Sequence, residues 1–227
     1  MKYFIDTEFV EGTWRSKFLG LEYGVARPSI DLISIGIVAE DDREYYAISK
    51  DFDLRKAWKN KWLKENVLRP IELELFKIHC KANIGHKDIE GKGDYKGFEW
   101  MLFKYGKTNK QIAEEVKEFV GASDDKPEFY GYYADYDWVV FCWLFGRMID
   151  LPKGFPMYCI DLKQELDFKA RRMTWNTVNT EEQKQIDVKE WLEYIKTLPN
   201  YPKQTNEHNA LADARWNRRL FEFLNKL

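Results

Sequence analysis

The chain has 227 residues, of which 44% are hydrophobic and 16% aromatic. This is enough apolar material for one domain, or at most two, with a real core, so full-length disorder is excluded. Lysine and arginine number 36 against 38 aspartates and glutamates, for a formal net charge of -2. That balance excludes a generic basic coat for long duplexes, and a nucleic-acid partner would have to bind at a local site.

Cysteine usage and the amino-terminal sequence favour the cytoplasm. Cys80, Cys142 and Cys159 are an odd number without CxxC spacing, which predicts neither a disulfide framework nor a cysteine zinc site. The first residues, MKYFIDTEFVEG, reach an acidic residue at position 6, which leaves no room for a signal peptide. No window approaches 18 uncharged apolar residues, so we expect no membrane span.

The amino-terminal part of the chain is predicted to be a β-meander. Residues 2–9 alternate in polarity, a β-branched run follows at Ile30–Val38, and a third candidate strand is Glu44–Ile48. Residues 11–28 contain three glycines and a proline, which indicates an irregular insertion at the end of the first strand. Loops at strand ends are where functional sites are usually built.

Helices are expected to dominate after residue 53. Residues 53–79 mix apolar and charged side chains, which suits helices and connections interrupted at Pro70. Residues 84–107 are rich in glycine and lysine and are expected to be loop. Thr108, with Gln111 three positions later, predicts a capping box that opens a helix.

The remaining elements complete an α/β pattern. Residues 128–133 (EFYGYY) predict a short strand, 135–148 a helix, and 159–162 (CIDL) an edge strand or a helix entry. Residues 169–206 are basic, polar and proline-containing, and we interpret them as a second insertion. Residues 208–227 form an apolar stripe typical of a terminal helix. Strands first, with helices between and after, indicate a single α/β domain, residues 1–227, with a mixed sheet flanked by helices.

Two acidic residues on the first strand are the strongest candidates for a site. Side chains alternate along a strand, so Asp6 and Glu8 should face the same side. Two neighbouring carboxylates cost free energy unless they are protonated or neutralised by a cation, and oxygen ligands suit Mg²⁺ or Mn²⁺. A strand that frays at Thr7, with both acids solvated, is the competing interpretation of this tripeptide.

Two later motifs carry further candidates. Asp137 lies where a predicted strand and loop are followed by an apolar helix. It could cap that helix, or it could be a ligand that points toward the ends of the strands. His208 and Asp213 lie near the start of the last helix. A histidine at a helix N-terminus is disfavoured as a cation, so its imidazole can accept a proton as a general base must. Taken alone, His208 and Asp213 are equally compatible with surface positions.

Together the three motifs resemble the DEDDh branch of the 3′-5′ exonucleases, whose fold is ribonuclease H-like. That family has an Asp-x-Glu pair, an aromatic-Asp pair and a His-x-x-x-x-Asp motif. They are matched, in that order, by Asp6 and Glu8, by Tyr136 and Asp137, and by His208 and Asp213. The chain departs from the family at Tyr133, where many members have asparagine.

Longer runs are similar to ribonuclease AS, a bacterial and phage subfamily that acts on adenylate-rich RNA. These runs are FIDTEF, DLISIGIV, REYYAIS, YYADYDWVVFCWLFG and EHNALADARWN. Members of that subfamily lack residues 12–28 at this length.

The resemblance implies an activity and a set of roles. It implies that four carboxylates hold two ions of Mg²⁺ or Mn²⁺ and that His208 is the general base. The implied substrate is the 3′ end of a single-stranded RNA, and the implied product is a 5′-nucleoside monophosphate. The resemblance also implies a homodimer. The four expected ligands are Asp6, Glu8, Asp137 and Asp213. Candidate contacts to the substrate are Glu8, Phe9, Trp14, Tyr136 and Arg215. Among the family's roles, Glu8 is expected near the terminal sugar.

Two other functions remain open at this point. A DNA-directed proofreading exonuclease would share every catalytic residue, and an inactive RNA-binding module would keep the fold without the chemistry. Dinucleotide-binding and P-loop enzymes are disfavoured because neither GxGxxG nor GxxxxGK[ST] occurs.

Overall fold

Two long antiparallel strands lie at the centre of the structure, which is a computed structural model. It describes residues 1–18, 21–82, 94–121, 126–175 and 181–227, without the side chains of 14–23 and 174–187. The strands are β1 (Lys2–Phe18), β2 (Leu21–Ala39), β3 (Glu44–Ile48), β4 (Glu128–Gly131) and β5 (Ile160–Asp161).

These strands form one sheet in the order β3-β2-β1-β4-β5. Strands β1, β2 and β3 pair antiparallel, whereas β4 and β5 join β1 in parallel. The sheet is therefore mixed, and with helices on both faces it confirms the α/β, ribonuclease H-like fold expected from the sequence.

The expectation that residues 11–28 are irregular is wrong. Strands β1 and β2 stay paired beyond the body of the sheet, from Glu11 opposite Ile30 to Phe18 opposite Leu21. The arm continues the antiparallel backbone pairing of β1 and β2 in the body of the sheet, so cross-strand pairing extends both strands despite the glycines and proline of the segment. Gly12 pairs with Ser29 within this two-stranded arm, and register shifts after Glu8 and Trp14 mark irregularities in the ladder.

Helices make up most of the remaining described chain. They are α1 (Leu54–Lys59), α2 (Lys61–Leu63), α3 (Arg69–Ala82), α4 (Tyr95–Tyr105), α5 (Asn109–Val120), α6 (Asp135–Phe145), α7 (Leu162–Trp175), α8 (Glu181–Thr197) and α9 (Ala210–Leu224). A π-helical turn, Lys64–Leu68, precedes α3, and a 3₁₀ turn, Met148–Asp150, follows α6. No described helix is long and apolar enough to span a bilayer.

Several predicted element boundaries are confirmed. Thr108 caps α5 and forms the full capping box with Gln111. The interruption expected at Pro70 is wrong, because residues 61–82 are continuously helical; Pro70 stands in the first turn of α3, where proline is tolerated. Strand β5 runs directly into α7, so residues 159–162 serve as both edge strand and helix entry.

The expectation of a loop over residues 84–107 is wrong where the structure describes them, and the segment interpreted as a second insertion contains helices. Residues 95–105 form α4, which Asp94 caps by accepting a hydrogen bond from the Gly97 N–H at 2.7 Å. Much of 169–206 belongs to α7 and α8, which bury Leu166, Ala170 and Ile195. In both segments, burial of apolar side chains at helical spacing outweighed a polar composition.

The alternation of β1 distributes its side chains between two helical layers. Tyr3 and Ile5 pack with α5 and α6, whereas Phe4 packs with α7 and α9. By the same period of two, Asp6 and Glu8 face the α9 layer and Thr7 faces the α6 layer. The helices that carry the later motifs therefore meet β1 from opposite faces.

Candidate active site

Three carboxylates converge where β1 meets the start of α9. Asp6 and Glu8 extend from β1, and Asp213 lies in the first turn of α9. One carboxylate oxygen of each lies within 4.8 Å of the others. Glu8 and Asp213 are buried and Asp6 is partly exposed. The alternative that β1 frays at Thr7 and leaves both acids solvated is therefore wrong.

The close approach of α9 to the sheet depends on a glycine. Gly36 lies opposite Asp6 in the β1–β2 ladder, so both face the α9 layer. A Cβ added at Gly36 would lie 2.3 Å from the Ala210 carbonyl oxygen, which leaves no space for any other residue. The buried Asn217 side chain also donates a 2.8 Å hydrogen bond to the Ile5 carbonyl. These contacts set the depth at which Asp213 meets the β1 acids.

The fourth acid, Asp137, reaches the same cleft from the opposite layer. The Thr7 backbone N–H and hydroxyl both donate to Asp137 Oδ1, at 2.8 and 2.6 Å. These bonds fix the carboxylate and leave Oδ2 outside them. The residue at the cap position of α6 is Ala134, with no side-chain cap bond, so the alternative that Asp137 caps its helix is wrong.

His208 precedes α9 rather than lying within it. Its backbone has a φ of 65°, and Asn209 is the residue that caps the helix. The His208 backbone N–H donates to Asp213 Oδ2 at 2.9 Å, and the Gln204 amide donates to Oδ1 at 2.7 Å. The His208 ring packs edge-to-face against Trp62, with the ring centres 4.7 Å apart. The start of α9 thus holds both Asp213 and the imidazole at the cleft.

The electrostatics of the cleft call for a cation. Burial, followed by the charges of Asp137, Glu8 and Asp213, raises the pKa of Asp6 well above its ordinary value. Burial and the same kind of repulsion raise the pKa of Glu8 to about 8. Burial raises the pKa of Asp137 to about 6, although the hydrogen bonds from Thr7 act to lower it. Burial likewise raises the pKa of Asp213, although the hydrogen bonds from Gln204 and from the His208 N–H act to lower it.

The lining of the cleft supplies no compensating positive side chain. The cavity has a volume of about 660 Å³, and the described residues around it include the four acids but neither lysine nor arginine. Carboxylate oxygens are the ligands that hard divalent cations prefer. The donor set therefore fits Mg²⁺ or Mn²⁺, whose charge would offset the repulsion between the acids.

Comparison with known proteins identifies the family. A model described as the 3′-5′ exoribonuclease Rv2179c-like domain matches residues 1–225. Two relatives, 3′-5′ exoribonuclease MT2234.1 and 3′-5′ exoribonuclease Rv2179c, come from Mycobacterium tuberculosis strains CDC 1551 / Oshkosh and ATCC 25618 / H37Rv. Each is 30% identical over 165 residues, which cover 72% of this chain and 73% of the relative. The chain belongs to the Rv2179c-like 3′-5′ exoribonuclease family.

In this exoribonuclease, two of the expected substrate contacts lie together in the cleft. The Phe9 and Tyr136 rings are stacked, with centres 5.8 Å apart and planes 30° from parallel. Both residues line the cavity, and Tyr136 is half exposed. The side chain of Trp14 lies outside the described part of the exoribonuclease.

The structure does not bring Arg215 to the cleft. Its guanidinium instead donates to both carboxylate oxygens of Glu44, at 2.6 and 2.5 Å, on the surface beside β3. On a helix, residues two apart differ by about 200° in direction. Arg215 therefore points away from the acids that Asp213 joins, and the described cleft of the exoribonuclease has no arginine for a phosphate.

Three further residues shape the cleft but carry no motif in the sequence. Thr7 positions Asp137, Gln204 positions Asp213, and Trp62 packs on His208. The strand alternation gave a usable signal for Thr7, because it must face the layer opposite to Asp6 and Glu8. Gln204 and Trp62 reach the active site of the exoribonuclease only through tertiary packing, so no local pattern marks them.

Proposed function

We propose that this exoribonuclease shortens single-stranded, adenylate-rich RNA from its 3′ end with two divalent ions, Mg²⁺ or Mn²⁺. The observation that carries the proposal is the convergence of Asp6, Glu8 and Asp213 within 4.8 Å. Asp137, held by Thr7 in the same cleft, is the fourth ligand. Two ions held by these residues would supply activation of the attacking water and neutralisation of charge on the leaving 3′ oxygen.

The protein groups position the reactants and move one proton. His208 accepts the proton of the attacking water through its imidazole, which lines the cleft. Gln204 and the His208 backbone N–H hold Asp213, and Thr7 holds Asp137, so little reorganisation is needed when substrate binds. The released product is a 5′-nucleoside monophosphate.

The terminal nucleotide is recognised by stacking and by a contact to its sugar. The exposed Tyr136 ring, backed by Phe9, offers a face for the terminal base, and one such contact is worth about 1 to 3 kcal/mol. Glu8 contacts the terminal ribose, a role carried over from the DEDDh resemblance. The adenylate preference and the homodimer rest on the similarity to ribonuclease AS, and the single domain of residues 1–227 rests on the chain length and the order of strands and helices. The cysteine content supports a reducing, cytoplasmic location.

A time course on 5′-labelled oligonucleotides tests the proposal. The substrates are oligo-A, oligo-U and oligo-dA, with Mg²⁺, Mn²⁺ or EDTA. Wild type is compared with Asp6→Asn and with Glu114→Gln, an exposed acid on α5 that serves as the matched control. We expect a metal-dependent ladder from the 3′ end that is fastest on oligo-A, lost in Asp6→Asn and retained in Glu114→Gln.

Other outcomes would change the assignment. Equal or faster cleavage of oligo-dA would favour the proofreading class. Binding of RNA without cleavage under any metal condition would favour the inactive module. A ladder that persists in EDTA would contradict the role assigned to the acidic cluster.

A further inference from the structure

The outward face of α4 alternates lysines and aromatic rings. Lys96, Trp100, Phe103 and Lys104 follow one another at spacings of four, three and one, which places them on one side of a helix. All four are exposed. The opposite side of α4 packs into the core through its buried apolar residues, which are Phe98, Met101 and Leu102.

The aromatic rings on this face are unusually open. Trp100 is 44% exposed and Phe103 is 74% exposed. Lys104 Nζ lies 4.8 Å from the centre of the Trp100 ring, and Lys50 Nζ lies 5.7 Å from that of Phe103. We call Lys50, Lys96, Trp100, Phe103 and Lys104 the aromatic-lysine face.

Within the described part of the chain, no acidic side chain forms an ion pair with the lysines of this face. Lys50, Lys96 and Lys104 form no ion pair with any carboxylate of the described chain, whereas Lys77 and Lys107 nearby pair with glutamates. Within α4 the acidic residue is Glu99, which accepts a hydrogen bond from Tyr95. Ring faces beside unpaired ammonium groups match the bases and phosphates of a single strand of nucleic acid.

The register of the sheet relates Lys50, at the edge of this face, to the active site. Glu8 lies opposite Ser34, and Ser34 lies opposite Ile48 on β3. Two strand spacings, about 10 Å, therefore separate Glu8 from Ile48 across the sheet. Lys50 follows two residues later, where its N–H donates to the Lys107 carbonyl at 2.9 Å and ties it to the end of α4.

We propose that the aromatic-lysine face binds nucleotides of the RNA that lie upstream of the 3′ end held in the acidic cleft. The proposal rests on the RNA substrate of the proposed function and adds a second contact to it. Since that contact is made away from the scissile bond, it strengthens binding of longer RNA without altering the chemical step. Very short RNA, which cannot reach from the cleft to α4, gains nothing from it.

The test compares oligo-A of three and of fifteen nucleotides. One variant combines Trp100→Ala with Phe103→Ala, and another combines Lys50→Ala with Lys104→Ala. The matched control combines Trp143→Ala with Lys153→Ala, an exposed tryptophan and an exposed lysine elsewhere on the surface. Binding is measured separately by the fluorescence anisotropy of labelled 15-mer with metal-free protein.

We expect both variants of the face to raise KM for the 15-mer roughly tenfold, a change of the size that loss of base stacking produces. Their kcat and all constants for the trimer should match wild type. In the lysine variant, the slope of log affinity against log salt concentration should be shallower by about 1.4, because each of two lost phosphate contacts contributes ~0.7 to that slope. The control should behave as wild type throughout.

Each alternative result is decisive. Unchanged KM and affinity for the 15-mer, while wild type degrades RNA normally, would overturn the role of the face and leave the proposed function intact. If wild type cleaved no RNA, the proposed function would fall and the anisotropy of the variants would still decide the face. Sedimentation of the variants provides a further check. If their sedimenting mass differed from that of wild type while their RNA affinity did not, the face would be a contact between copies of the chain, and the proposal would be overturned.

Discussion

Replacement of Glu8 by glutamine should stabilise the metal-free protein and abolish its nuclease activity. Glu8 is 9% exposed, and its pKa is raised from 4.5 to about 8. At pH 7 the folded state must therefore take up a proton or bury a charge, which costs up to about 3 kcal/mol relative to an ordinary glutamate. Glutamine keeps the shape of the side chain without this cost.

The effect has a defined dependence on pH. The penalty is absent below about pH 4.5, grows as the pH rises, and is complete above about pH 8, where Glu8 is ionised in both states. For a chain of this size each kcal/mol moves Tm by roughly 2 to 4 °C, so the gain at neutral pH is several degrees and at most about 10 °C.

Thermal unfolding in EDTA at pH 5, 7 and 8.5 measures this gain for wild type and Glu8→Gln. Glu114→Gln is the matched control, because it removes one negative charge from an exposed position outside the described lining of the cleft. A Tm for Glu8→Gln equal to or below that of wild type at pH 8.5, or the same gain in Glu114→Gln, would refute the argument from burial. Activity with Mn²⁺ should be lost in Glu8→Gln.

Three further changes test the assembly of the site. Adding Mn²⁺ to wild type should raise Tm more at pH 8 than at pH 5, because protons compete for carboxylates of raised pKa; a shift independent of pH would contradict this. Thr7→Val should lower the free energy of unfolding by about 1 to 2 kcal/mol and slow cleavage, because it removes the hydroxyl that holds Asp137. Thr7→Ser keeps a hydroxyl and should retain the stability and the cleavage rate of wild type. Equal behaviour of the valine and serine variants would count against the hydrogen bond. Gly36→Ala should destabilise the fold by roughly 1 to 3 kcal/mol, because the added methyl group would collide with the Ala210 backbone. It should also weaken Mn²⁺ binding, measured by titration. An unchanged Mn²⁺ affinity would show that the position of α9 does not depend on its close contact with Gly36.

The sequence was most informative where chemistry and local geometry coincide. The alternation of β1 correctly placed Asp6 and Glu8 on one face, and the capping box correctly opened α5. Both are short-range rules that need no knowledge of distant packing. Neither rule relates residues that are far apart in the chain, so the assignment of the four acids to one site came from the resemblance to the DEDDh exonucleases.

The failures have a common physical origin in non-local packing. The glycine and lysine content of residues 84–107 pointed to a loop, but burial of Phe98, Met101 and Leu102 makes residues 95–105 a helix. The long β1–β2 arm depends on cross-strand pairing that composition does not encode. Arg215 was assigned from its nearness to Asp213 in sequence, although adjacent positions on a helix point in different directions.

The use of both faces of β1 makes assembly of the cleft depend on late steps of folding. Thr7 must meet Asp137, 130 residues further on, and Ile5 must meet Asn217, 212 residues further on. Such contacts form only after long stretches of chain have been closed into loops. During synthesis, a nascent chain whose α9 is still inside the ribosome has neither Asp213 nor His208 in the cleft. The four-acid cleft is therefore complete only once α9 has docked against β1.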